Sequence, residues 1–465
     1  MKRLFFISIV LCAVSCAYHE KIIVNQFDSY SSNVTDYTVG YNAIKHLFSR
    51  TKGSSIEIIP YEKNADTLFY VVNTNEGWQI ISNDQRATPI LASGNNERLD
   101  PFSKTHNGIR VWLEAASNYI VNIKNSPLKE DQLNNVKFWQ SLHILPHRDS
   151  IDNGNYRWML VESTQLTGTY ITDNVPHLIS TKWGQGYPWN NELPYDEGTY
   201  YDSGYYERCL TGCLAVAIVQ ILYYWHHTFG FPNYLYHTVN VNGWQQWIYG
   251  NQSNISITTS DITNSTRWDY MPLTASGINS DYVGDLMISI GKYVYMLYGS
   301  LGSAASINPN VFELYDMQYL NSAYNYSTVN TSLNNEQPVI IFACPYNQIT
   351  GHYWIIDGKF TRINTYQTSR TWYELEDGNI HGIVPPGTFY YTDEEAHAID
   401  PYVYDGKITY SYSSTTDKFL RMNWGYDGLY DDAEYSINVL WHPDGDNEPT
   451  YATNAQIFYG FSLLN

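Results

Sequence analysis

The sequence predicts an α+β fold. Three observations carry this. A helix-period apolar segment opens at residue 212 and another lies near residue 282, whereas short β-like runs follow one another from residue 338 onward. The third is composition: 43% hydrophobic against 15% charged residues supplies ample material for a folded core. At 465 residues the chain exceeds one ordinary core, so two domains are expected. The 44 tyrosines fit a globular chain with an aromatic-rich surface rather than a disordered one. A net charge of −20 repels phosphate backbones, and no dense Lys/Arg run offsets it, so no nucleic-acid partner is expected.

In chain order, Met1-Lys2-Arg3 is a short basic start, and Leu4 to Val14 is an apolar run too short to span a bilayer. Ala13-Val14-Ser15-Cys16 then resembles a bacterial lipoprotein signal, with Cys16 as the lipidation site; ordinary cleavage beside Ser15 is the alternative, because Ala13 stands where leucine is usual. Residues 1–16 therefore read as a signal peptide. Either reading exports the protein from a bacterial cell, secreted or lipid-anchored at the outer membrane or cell surface.

Tyr41 to Phe48 reads as a helical patch. Asp66 to Val72 and Gly77 to Ser82 read as strands, separated by Asn-Thr-Asn-Glu turn chemistry. After Gly108, a helical face collects Ile109, Trp112, Leu113, Ala116, Tyr119, Ile120 and Ile123, and Pro127 breaks it. This small α+β unit ends near the polar linker Asp149 to Asn155. The next unit has a helix from Cys213 to a Gly230/Pro232 stop and a second helix from about Tyr282 to Leu297. Strands follow at Pro338–Ala343, Tyr353–Gly358, Phe419–Trp424 and Ala455–Phe461.

Cysteine usage directs attention to Cys213. Outside the signal the chain holds Cys209, Cys213 and Cys344, and an odd number in an exported protein leaves at least one thiol free. Cys209 and Cys344 are equally readable as a disulfide or as two thiols; Cys213 is expected free. It stands in the first turn of its helix, where unpaired N–H groups and the macrodipole favour a thiolate over a thiol of pKa ~8.5. His352 heads the strand Gly351-His-Tyr-Trp-Ile-Ile-Asp-Gly, which is read as ending in an Asp-Gly turn. Its separation from Cys213 falls in the range of papain-like peptidases. In Met422-Asn-Trp-Gly-Tyr-Asp-Gly, Asn423 offers an amide oxygen to orient an imidazole and Trp424 an indole to cover it. Taken alone, a buried thiol, a strand histidine and a Trp-Gly turn are each ordinary structural features.

Four stretches in order resemble the streptopain family of secreted bacterial cysteine peptidases: Trp183-Gly-Gln-Gly-Tyr-Pro-Trp-Asn, Thr211-Gly-Cys-Leu-Ala-Val-Ala-Ile-Val-Gln, Gly351-His-Tyr-Trp-Ile-Ile-Asp-Gly and Asn423-Trp-Gly-Tyr-Asp-Gly. Upstream, Tyr70-Val-Val-Asn and Gly77-Trp-Gln-Ile-Ile-Ser-Asn-Asp resemble the family's inhibitory prosegment. The resemblance implies a papain-like domain over 169–465, with a helical part, an antiparallel β part and a cleft between them. A small α+β prosegment over 17–168 would precede it, cut away near Thr164 to Asp173. It further implies Cys213 as nucleophile and His352 as general base and acid. Gln185 would be an oxyanion-hole donor, Asn423 and Trp424 would orient and shield the histidine, and Gly302, Ser303 and Ser306 would lie in a loop lining a substrate pocket.

The implied activity is that of a cysteine endopeptidase made as a zymogen. It acts on proteins or peptides, has its own prosegment as intramolecular inhibitor, and reaches a membrane only through an N-terminal lipid. No cofactor and no catalytic metal are expected, since the chain lacks His-Glu-x-x-His, Cys-x-x-Cys and Gly-x-Ser-x-Gly. The alternative is a catalytically silent surface binding lipoprotein on the same fold. Two departures from the family stand out: Leu214-Ala215-Val216 replaces Val-Ala-Thr, and Tyr426-Asp427-Gly428 replaces Trp-Gly-Gly. Asp427 is expected to raise the pKa of His352 or to alter the preference for substrate charge.

Overall fold

A computed structural model of the chain describes residues 37–48, 56–95, 98–103, 107–129, 132–141, 157–193, 195–200, 206–231, 245–248, 251–254, 265–275, 278–300, 302–307, 309–345, 351–375, 388–431, 433–440 and 452–464. The signal segment with Cys16 and the linker Asp149 to Asn155 lie outside these residues. Two compact units are formed: Met1–Leu99, Ser117–Thr172 and Thr361–Lys418 make one, and Asp100–Ala116, Asp173–Phe360 and Phe419–Asn465 make the other. No helix among the described residues is long and apolar enough to cross a membrane.

In the first unit the strands Glu57–Lys63, Asp66–Thr74, Gly77–Ser82 and Ile90–Gly94 form an antiparallel meander. The helix Tyr41–Phe48 buries Ala43, Ile44 and Phe48 in a cluster with Tyr70, Val72, Ile81 and Trp139. A second cluster gathers Trp158, Leu160, Trp372, Ala396 and Val403, where Thr388–Tyr391 pairs with the start of the strand Trp158–Val175. The helix Asn107–Asn125 buries every residue of its expected apolar face, and its residues up to Ala116 belong to the second unit.

The second unit is organised around the helix Cys213–Phe229, in which every residue from Leu214 to Trp225 is buried. Gly230 stops it in the left-handed conformation (φ 79°), with its N–H on the carbonyl of His226. Strand order is Ala433–Ser436, Ile408–Asn423, His352–Glu374, Val339–Pro345, Ala452–Leu463 and Met317–Ala323, and the registered pairs in this unit are antiparallel. The α+β class is what this unit has, but its order is less strict than expected: Tyr195–Tyr200, Tyr206–Arg208, Gln245–Ile248 and Asn251–Asn254 are strands ahead of the helix Ser280–Tyr293, and the helix Tyr326–Asn334 follows the strand Met317–Ala323.

Two details differ from the sequence expectation. The helix read as Tyr282 to Leu297 runs Ser280–Tyr293; Tyr295 turns to φ 56°, and Leu297 leaves to bridge Ala304. Asp357-Gly358 is not a turn, for the strand continues through it to Glu374. The reason is burial of the carboxylate, which accepts the Ile179 N–H at 3.2 Å and meets His177 Nδ1 at 3.0 Å. The buried Arg421 next to this region donates to Asn174 Oδ1, to the Val175 carbonyl and to the Lys359 carbonyl at 2.9, 2.6 and 3.1 Å. Lys359 holds Asp173, so the chain from 173 to 175 is pinned to the strands. Arg421→Met keeps the stem but strands three acceptors; it should cost about 2–4 kcal/mol, read as a lowered urea midpoint.

Candidate active site

Cys213 is the first residue of its helix, preceded by Gly212 at φ 93°. A β-carbon at Gly212 would stand 2.6 Å from Met296 Cε and 3.4 Å from Ser303 Cβ, so the approach to the thiol needs glycine both for its backbone and for space. The sulfur accepts the Tyr353 N–H at 3.4 Å, placing it against the peptide that joins His352 to Tyr353. The His352 ring is buried, only 2% exposed, and among the described residues it makes no direct hydrogen bond to the sulfur. Its Nε2–H donates to the Trp424 carbonyl at 2.9 Å. A carbonyl can only accept, so this bond leaves Nδ1 as the basic nitrogen. Trp354, Trp424 and Tyr426 surround the ring, with Tyr426 stacked at 5.3 Å and 10°.

Asn423 does not meet His352. Its Oδ1 accepts from Gln220 Nε2 at 2.9 Å and from the Gly425 N–H at 3.1 Å. Its Nδ2 donates to the Thr181 carbonyl and to Gln220 Oε1 at 2.9 and 3.1 Å. The expected amide-to-imidazole contact is thus replaced by a carbonyl from the next residue, while the amide ties the turn to the Cys213 helix. Trp424 is held at both ends of its peptide and by its indole. Its N–H reaches Asp431 Oδ1 at 2.7 Å, and Nε1–H reaches the Tyr435 hydroxyl at 2.8 Å. The Trp112 ring meets Tyr435 edge-on at 5.2 Å.

The remaining predicted residues gather nearby. Gln185 is buried, and its carbonyl accepts the Thr211 N–H at 3.0 Å, two residues before the thiol. Its side-chain amide makes no hydrogen bond among the described residues. Ser303 donates to the Leu210 carbonyl at 2.7 Å and accepts the Gly299 N–H at 3.0 Å, while Gly302 and Ser306 are exposed in the same loop. That loop reaches the site again where the Ile307 N–H meets the Tyr353 hydroxyl at 3.4 Å. Cys209, Cys213 and Cys344 are all free thiols. Gln220, Thr181, Asp431 and Tyr435 escaped sequence reasoning; only Gln220 left a signal, as the one amide in the apolar run from Leu214 to Trp225.

Burial sets the charge state. It pushes the Cys213 thiol up, against the opposing pull of the Tyr353, Leu214 and Cys213 N–H groups. It pushes His352 down to about 4, only partly opposed by the Trp424 bond. Both therefore favour their neutral forms here. The expectation that Asp427 raises His352 fails: Asp427 turns the other way and accepts the Trp189 indole N–H at 2.6 Å.

A helix-borne thiol and a histidine of fixed tautomer, within an α+β unit, are what a cysteine peptidase requires. The chain belongs to the peptidase C10 family, the streptopain family, whose model matches residues 183–433, more than half of the chain. A Spi protease inhibitor model matches residues 29–120, so this cysteine peptidase carries its own inhibitory prosegment. Among solved structures, the chain is similar to a fragment of Prevotella intermedia prointerpain A, at 19% identity over 87% of this chain and 99% of that one, with a TM-score of 0.47. It is also similar to the active wild-type interpain A cysteine protease of Prevotella intermedia, at 19% identity over 62% and 96%, with a TM-score of 0.36. No curated protein matches.

Gln220→Leu should leave the Asn423 amide and the Thr181 hydroxyl short of partners, cost about 2–3 kcal/mol in urea unfolding, and lower kcat more than it raises KM. The His352 shift gives a pH window. The folded pKa of about 4 lies below the unfolded value of 6.5, so the folded state refuses a proton that the unfolded chain takes. Stability present above the unfolded value should be lost as pH falls toward the folded one. His352→Gln, which can still donate to the Trp424 carbonyl, should flatten that part of the urea-midpoint profile in a Cys213→Ala background.

Proposed function

We propose that the chain is an exported cysteine endopeptidase in which Cys213 attacks the scissile carbonyl and His352 moves the proton. The observation that carries this reading is the His352 Nε2–H bond to the Trp424 carbonyl, because it leaves Nδ1 basic next to the residue whose N–H touches the sulfur. Nδ1 takes the thiol proton as Sγ bonds to the peptide carbon. The Cys213 N–H and the Gln185 amide receive the oxyanion, a donor type whose loss typically costs about 10²–10³ in rate. The protonated His352 then gives its proton to the leaving amine, and water, activated by the same nitrogen, releases the acyl group. Asn423 holds the turn that presents the Trp424 carbonyl, and Trp424 covers the imidazole. The loop with Gly302, Ser303 and Ser306 borders the substrate side.

Residues 17–168 act as the inhibitory prosegment of a zymogen, and residues 169–465 as the peptidase. Two features support latency in the full chain. Residues 100–116, within the inhibitor match, share a compact unit with the site and place Trp112 on Tyr435 behind Trp424. The thiol and the imidazole are also both biased to their neutral forms. The activating cut is read near Thr164 to Asp173, and the contacts of Lys359 with Asp173 and of Arg421 with Asn174 and Val175 support keeping 173–175 with the peptidase. Export through residues 1–16, with Cys16 as a lipid site, completes the reading.

The test is alkylation at pH ~5.5, where an ordinary thiol of pKa ~8.5 is almost wholly protonated, mapped by mass spectrometry. After self-processing of the full chain, Cys213 should label at least tenfold faster than in the unprocessed chain, and a His352→Ala chain cut at the same boundary by an added protease should show no such increase. Cys213→Ala should remain full-length. A full chain that does not process itself and whose Cys213, after the prosegment is cut away by an added protease, labels no faster than a free model thiol would favour the silent binding lipoprotein.

A further inference from the structure

A second cluster of donor side chains lies at the opposite end of the helix that begins with Cys213. His226 and His227 occupy its last turn, and Asp269 projects from the 3₁₀ helix Ser265–Tyr270. One ligand atom from each of the three lies within 4.8 Å of the other two. Two imidazoles and a carboxylate make a donor set of borderline softness, suited to zinc and its neighbours rather than to calcium or magnesium.

The donors are held before any ion arrives. The His226 ring stacks on Trp268 at 5.1 Å and 18°, and the His227 ring lies 4.1 Å from that of Tyr223. Trp268 is itself in the core, which fixes the residue next to Asp269. Just beyond, the Pro272 carbonyl takes the Trp183 indole N–H at 2.7 Å and the Leu273 carbonyl takes the Lys182 N–H at 2.7 Å, so the segment carrying Asp269 is anchored on both sides. With both rings packed and the backbone under Asp269 anchored, ligation has mainly the exposed carboxylate left to order. The carbonyl end of the helix adds a favourable field for a cation.

We propose that His226, His227 and Asp269 bind one zinc-class divalent ion, with water completing its coordination, and that the ion clasps the end of the Cys213 helix to the 265–270 segment. Thirteen residues at ~1.5 Å each put it about 20 Å from the thiol, so its role is structural. The inference stands apart from the catalytic reading.

The experiment uses the full-length chain carrying Cys213→Ala, which removes self-cleavage and, among the described residues, the one cysteine that is not buried. The protein is stripped with EDTA, dialysed and titrated with zinc chloride by calorimetry, then with cobalt(II) chloride by visible absorption. One zinc per chain is expected, with cobalt d–d bands free of thiolate charge transfer. His227→Ala and Asp269→Asn change exposed side chains and should each weaken zinc at least about tenfold. Unchanged affinity in both variants, no stoichiometric uptake, or a thiolate charge-transfer band would each overturn the assignment.

Discussion

Gln220 lies two turns into the Cys213 helix and Asn423 ends a neighbouring strand; the paired hydrogen bonds between their amides fix one to the other. In a buried setting such a pair is directional and costly to break, because each amide left alone loses its solvation without replacement. The consequence runs outward along the turn. Asn423 Oδ1 also takes the Gly425 N–H, so the Trp424 peptide between them has no freedom to rotate. Asp431 holds its N–H side, and its carbonyl is left facing His352. The imidazole is therefore positioned from the helix that carries the thiol, through one amide and one turn.

That arrangement makes the charge state of the pair a question of distance. Each group considered alone is neutral, because burial outweighs the few dipoles that would stabilise its charge. Moving a proton from Sγ to Nδ1 creates no net charge, however, and the product is two opposite charges whose attraction grows steeply as they approach in a low dielectric. Small changes in the approach of the two atoms can then switch the pair without any change in its surroundings. The Tyr435 hydroxyl that holds the Trp424 indole lies on the ring that Trp112 meets edge-on, so these three aromatic residues share the support behind the turn.

The sequence made the Cys213 helix legible from end to end, since an apolar run opens at Gly212 and closes at Gly230. The expected helical face from Ile109 to Ile123 was equally plain, because its apolar residues recur at a 3.6-residue period over about four turns. What could not be read depended on partners distant in the chain. Asp357-Gly358 has the composition of a turn, and only a buried carboxylate bonded to the 177–179 segment keeps it in a strand. Asn423 has the right residue type to touch the histidine, yet its amide is claimed by Gln220 and Thr181. Motif order located the candidate site; hydrogen-bond competition decided which atoms meet within it.

Asp427 shows the same competition at the departure from the family pattern. It adopts φ 54°, a left-handed conformation that aspartate tolerates better than most residues and that glycine would take freely. Its carboxylate is pressed so close to Gly184 that a β-carbon there would stand 2.4 Å from Oδ2, and it receives the Trp189 indole N–H. Burial pushes its pKa up, so keeping the charge at neutral pH costs stability that a glycine would not spend. The return is mechanical: the carboxylate fastens the Trp189 indole to the same turn that presents the Trp424 carbonyl to His352.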